Sequence, residues 1–178
     1  MSKVLLTLSL LVIIYSSKAQ NLPVNAKSGK ITFIKTVDAT GLTAQQLYDI
    51  AKEWGGKQNF TIEEDKVGAK ITYKGSCKVE YPAVKSAEKF SGDVQFKFQF
   101  GAKEGKYRYV FTNFTHIGSP EDAGALEDTE PDCTFKKISI RGWTVLKKNT
   151  HKELLKLIDT LTKKITAEQN DPTKSDDW

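Results

Sequence analysis

Residues 95–111 read QFKFQFGAKEGKYRYVF. Phe96, Phe98 and Phe100 alternate with Gln95, Lys97 and Gln99, the segment from Gly101 to Gly105 turns the chain, and Tyr107, Tyr109 and Phe111 resume the alternation against Lys106 and Arg108. Period two belongs to a strand, because successive side chains point to opposite faces of a sheet. Two such runs around a glycine-bounded turn predict antiparallel strands with one apolar and one wet face. Upstream the same pattern puts Ile71, Tyr73, Gly75, Cys77 and Val79 on one face and Thr72, Lys74, Ser76 and Lys78 on the other. An antiparallel meander packed on one side therefore stands at the centre of the fold.

Lys30 to Val37 reads as a first strand, rich in Ile31, Phe33, Ile34 and Val37, and Gly41 breaks it. Thr43 and Gln46 form a capping box, followed by Leu47, Ile50, Ala51 and Trp54 at helical spacing. Gly55-Gly56 is the expected stop of that helix. Phe60 to Glu64 reads as a short strand, Asp65 to Gly68 as a turn, and the path through Pro82 and Gly92 is ambiguous. Ile117 to Cys133, with Gly118, Pro120, Gly124 and Pro131, reads as a long loop, and a short strand is expected near Lys137 to Ile140 and Trp143. Thr150 and Glu153 form a second capping box, opening a helix striped by Leu154, Ile158, Leu161 and Ile165 that Pro172 bars from extending. Asp159 and Lys163 form a favourable pair on its wet side.

The N-terminus speaks to compartment. Lys3 supplies a positive start, Val4 to Tyr15 is apolar apart from Thr7 and Ser9, and Ser17 and Ala19 are the small residues a signal peptidase reads, so cleavage is expected after Ala19. The apolar run is short of the ~20 residues that span a bilayer, which argues against a transmembrane anchor once the signal is removed. The resulting organisation is a signal peptide over 1–19, an irregular lead-in over 20–29, one α+β domain over 30–169 and a polar tail over 170–178. The expected location is periplasmic or secreted.

Hydrophobic residues at 39% and charged residues at 28% exclude both a disordered chain and a multi-span membrane protein. Loss of Lys3 and Lys18 with the signal leaves only a mildly basic chain of net charge +3, down from +5. Two cysteines are too few for a disulfide-built scaffold, but export makes a Cys77–Cys133 disulfide chemically allowed, and no other thiol competes.

The order strand, helix, antiparallel strands, helix resembles a family of exported bacterial proteins described as a domain of unknown function with a TATA-binding-protein-like fold. The resemblance rests on the Gly41-Leu42-Thr43 entry to a helix ending in Ala51-Lys52-Glu53-Trp54, on the strand Gly105-Lys106-Tyr107-Arg108-Tyr109, and on Trp143 before a lysine-rich helix. It covers most of residues 30–167 and implies a curved antiparallel sheet of about five to six strands with two helices on one face. It brings no activity, ligand or catalytic residue. Residues 118–134 fall outside it because the acidic loop is longer than the family leads one to expect.

Chemistry-bearing patterns are sparse. There is no G-x-S-x-G elbow, no phosphate- or dinucleotide-binding glycine pattern, no C-x-x-C and no H-E-x-x-H, and no cofactor is expected. His151 reads as a solvated residue in the first turn of the last helix. A Cys77–His116 nucleophile pair is opposed by parity, since His116 is out of phase with Tyr107, Tyr109 and Phe111, unless a bulge intervenes. Glu63 and Glu64, adjacent on a strand, should face apart and so cannot share a proton. Glu127, Asp128, Glu130 and Asp132, with Glu121 and Asp122 before them, offer oxygen ligands to calcium, but at no standard calcium-loop spacing, and a solvated loop is the plainer reading. The triplets Asn59-Phe60-Thr61 and Asn113-Phe114-Thr115 match the glycosylation acceptor pattern, which is without meaning in a bacterial protein.

Nucleic acid is not expected, because the aromatics line one face as core and the net charge is low. What remains is the wet face of the sheet, where parity gathers Lys74, Lys78, Gln95, Lys97, Gln99, Lys106 and Arg108. A water-covered sheet explains it without function. The functional reading is a non-enzymatic envelope module binding an anionic component or protein. A hydrolase with acids assembled from distant loops and a structural subunit of an envelope assembly are the alternatives.

Overall fold

Tyr73, Phe98, Phe111 and Phe33 stand in one row across four neighbouring strands of an antiparallel sheet. The computed structural model describes residues 22–66, 70–83, 88–118, 121–133 and 138–171. The expected signal cleavage site, Gly68, Lys137 and the tail from Pro172 lie outside these residues. The strands are β1 (Phe33–Asp38), β2 (Thr61–Lys66), β3 (Lys70–Pro82), β4 (Lys89–Lys103), β5 (Lys106–Gly118) and β6 (Gly124–Ala125), with α1 (Ala44–Lys57) and α2 (Ile140–Gln169). The sheet is ordered β1-β5-β4-β3-β2, and β6 pairs with β5 beyond the end of β1.

The aromatic row is the core. Phe98 and Phe111 approach to 4.5 Å between centroids, and Tyr73 stacks on Phe98 at 6.0 Å. Both helices pack on this face. From α1, Trp54 meets Phe98 edge-on at 5.2 Å, and the Tyr73 hydroxyl donates to the carbonyls of Ala51 and Lys52. From α2, Leu146, Leu154, Leu161 and Ile165 are buried, and the Trp54 indole N–H donates to Thr160 Oγ1 at 3.0 Å, joining the helices. Burying this much aromatic surface is the main stabilising contribution.

Several boundaries differ from the sequence expectation. The capping box of Thr43 and Gln46 opens α1 as expected, but Gly55-Gly56 does not stop it, and the helix continues to Lys57. Gly55 answers a packing need instead, since a Cβ there would fall 2.6 Å from the Tyr73 ring. The path through Pro82 and Gly92 is a long hairpin, with Pro82 pairing Lys89 and Gly92 pairing Val79. No strand forms around Ile140 and Trp143 among the described residues. Ser139 caps α2 by accepting from Gly142 N at 3.0 Å, and Trp143, Leu146, Thr150 and Leu154 share one buried stripe. Thr150 therefore lies inside the helix, its hydroxyl donating to the Leu146 carbonyl at 2.9 Å rather than capping. His151 is accordingly mid-helix and packs edge-on against Phe33 at 5.3 Å, not in a solvated first turn. The described part of the lead-in is ordered, with Leu22 buried and Val24 bridged to Ile31.

Candidate binding face

Because β3, β4 and β5 are neighbours, parity holds across them. Lys74 stands opposite Lys97, Ser76 opposite Gln95 and Thr72 opposite Gln99, with Lys106 and Arg108 on β5. All point away from the helices. The structure thus brings the expected residues onto one uncovered face, although Lys78 lies toward the far end, opposite Asp93.

Two hollows divide this face. A groove of about 260 Å³ is lined by Glu63, Lys74, Gln95, Lys97, Asn113 and Thr115. It contains its own counter-charge, Glu63 pairing with Lys97 at 3.6 Å. A second hollow of about 370 Å³ is lined by Lys70, Lys103, Lys106, Arg108, Thr36 and Gly101. Among the described residues no carboxylate lines it. Among the described residues none of its four cations takes part in an ion pair. The sequence reading missed Lys70 and Lys103. Lys70 shares the parity of Lys74 and was one residue outside the expected strand, whereas Lys103 was assigned to the turn.

A bulge corrects the reading of the adjacent acids. Ile62 pairs with Tyr73 and Glu64 with Thr72, so Glu63 is the extra residue. Both acids consequently serve the open face, with Glu64 bonded to Lys66 at 3.0 Å. The Glu64 carboxyl is held below its ordinary range, chiefly by the hydrogen bond from Lys66 with help from the charges of Lys66, Lys70 and Lys97. An acid already paired with lysine is a poor proton donor.

A second bulge decides the histidine. Gln95 pairs with Thr115 and Lys97 with Thr112, so Phe96 faces two residues, and Asn113 takes a left-handed φ of 56°. Parity inverts beyond Asn113, turning Phe114 and His116 into the core. His116 and Cys77 do share a face, against the expectation, but Val94 pairs with both and stands between them. His116 Nε2 is instead 3.0 Å from the Tyr81 hydroxyl. Burial, with the charges of Glu153 and Asp93, pushes the Cys77 thiol up to about 12, the opposite of an activated nucleophile. Cys77 and Cys133 are unbridged.

The acidic loop is held to the body. Glu127 Oε1 accepts from the Ile31 amide at 2.9 Å, and the Asp128 carbonyl accepts from Trp143 Nε1 at 3.0 Å and Lys147 Nζ at 2.6 Å. Asp122 accepts from the Gly118 amide at 2.9 Å. Among the described residues no three His, Cys, Asp or Glu side chains converge as metal ligands, so Glu127, Asp128, Glu130 and Asp132 are not brought together as a calcium cage.

Residues 33–116, from β1 into the end of β5, match the family described as "Domain of unknown function (DUF4468) with TBP-like fold". This segment is a DUF4468 domain. The DUF4468 fold recurs in solved structures. A DUF4468 family protein from Bacteroides ovatus ATCC 8483 superposes with a TM-score of 0.61 at 14% identity, over 88% of this chain and 93% of that one. A TBP-like protein from Parabacteroides distasonis ATCC 8503 gives 0.61 at 14%, over 82% and 97%. At this identity the likeness concerns the fold alone. No curated protein matches the chain. Among the described residues no helix is long and apolar enough to cross a membrane.

Proposed function

We propose that this DUF4468 protein is an exported, non-enzymatic binding module of a bacterial cell envelope, whose uncovered sheet face takes an anionic partner. One observation carries the reading: the helices cover one face, while the other presents Lys74, Lys97, Lys106 and Arg108 with Gln95 and Gln99 on three adjacent strands. The signal-like N-terminus supports export, and the bacterial sources of the similar structures support the envelope. The test is capture of envelope components by the mature chain, compared with a Lys97→Glu/Arg108→Glu variant. Binding that weakens as ionic strength rises, and that the variant abolishes while its melting temperature moves little, is the expected result. Equal capture by both forms would overturn it.

A further inference from the structure

We infer that the hollow at the β1 end of the open face is a site for a phosphate group carrying two negative charges; this rests on the reading of that face as anion-binding. The cross-strand register builds it. Lys70, Gly101, Arg108 and Thr36 form one row across β3, β4, β5 and β1, and Lys103 pairs with Lys106 in the next row. Lys70 and Arg108 are two strand spacings apart, on the order of 10 Å. Gly101 between them contributes no side chain, so the floor there is backbone and two long cationic side chains can close on a group placed over it. Thr36 supplies a neutral hydroxyl from the fourth strand.

The charge defines the ligand. The lining carries Lys70, Lys103, Lys106 and Arg108 and no acid. Counter-charges lie outside it, Asp38 opposite Lys106 on β1, Glu104 in the turn beside Lys103, and Glu64 within electrostatic reach of Lys70. A single carboxylate would answer one cation and leave the rest. A phosphomonoester dianion answers two, and its three terminal oxygens accept from several donors at once. Arg108 provides the planar fork that pairs two phosphate oxygens, and the lysines act as point charges. The volume of about 370 Å³ lies at the small end of the ~300 to 1,000 Å³ of small-molecule sites, which suits one headgroup or one small phosphate ester rather than a folded protein. The neighbouring groove, with Glu63 inside it, lacks this imbalance.

The test is titration of the mature chain with methyl phosphate, a dianion, dimethyl phosphate, a monoanion, and acetate, alongside vesicles containing phosphatidate or phosphatidylglycerol. Methyl phosphate or phosphatidate should bind at least about ten-fold more tightly than the singly charged counterpart. Affinity should fall as pH drops through about 6, where the phosphomonoester loses its second charge. Lys70→Gln/Lys103→Gln should weaken binding about ten-fold, and Lys74→Gln/Lys97→Gln less than about two-fold. Binding of methyl phosphate identifies a soluble ester as sufficient, and binding of phosphatidate vesicles alone identifies a lipid headgroup; both support the site. Equal binding of mono- and dianions, or equal loss in the two double variants, overturns the phosphate site while leaving the wider anion-binding reading intact. Absence of binding to every anion overturns both.

Discussion

Asn59 and Asn113 both adopt left-handed backbone, with φ of 57° and 56°, and each is followed by a buried phenylalanine and an exposed threonine. The repeated Asn-Phe-Thr triplet therefore records two left-handed backbone positions, because asparagine tolerates this conformation better than most side chains. Three residues beyond Asn113 on β5 lies His116, whose ring burial disfavours the charged form and lowers its pKa from 6.5, partly offset by Asp122 and Asp93. The folded value is below the unfolded one, so stability is full above about pH 6.5 and is lost as pH falls below it toward the folded value. Thermal unfolding between pH 5 and 8 should show this slope, and His116→Gln should flatten it. Glycine substitutions should separate by environment. A Cβ on Gly92 would come within 2.3 Å of His116 Nε2, whereas one on Gly56 meets nothing within 4 Å. Gly92→Ala is expected to cost about 1 to 3 kcal/mol and Gly56→Ala to gain about 0.5 to 1 kcal/mol, as read from denaturant midpoints.

At the scale of elements, the two helices are joined through Glu53, which bonds Lys57 within α1 at 2.7 Å and Lys164 of α2 at 2.9 Å. These bonds, Lys164 first, hold its carboxyl at about 2 rather than 4.5. A depressed carboxylate contributes above its unfolded pKa and is lost as pH falls from about 4.5 toward 2. Glu53→Gln should therefore shallow the acid limb of the stability profile in that window, lying slightly below the parent at neutral pH and converging with it at the acid end. The acidic loop hangs on α2 by the Trp143 indole, so Trp143→Phe should cost about 0.5 to 1.5 kcal/mol and speed amide exchange across 121–133. The start of α2 was illegible because Ser139 and Gly142 carry no periodic signal, while Thr150 and Glu153 imitate a cap; only packing of Trp143 and Leu146 on the sheet extends the helix back to Ile140.

For the whole molecule, the ion pairs sit at the surface and contribute little to folding, whereas cations outside those pairs, Lys70, Lys103, Lys106 and Arg108, gather on the open face. Raising salt should thus weaken anion binding steeply and leave the melting temperature nearly unchanged, a contrast readable by parallel titration and thermal scans.

The sequence by itself determined the alternating strands, the first capping box and the separation of a phenylalanine- and tyrosine-rich face from a lysine-rich one, because strand period and helix caps are written in residues a few positions apart. Tertiary structure alone decided which strands are neighbours, where one extra residue inverts parity, and hence that His116 turns inward and Glu63 outward. It also joined Lys70 and Lys103 to Lys106 and Arg108. Those outcomes depend on pairing between distant segments, and a bulge is set by how side chains such as Phe60, Phe96 and Phe114 fill the core together.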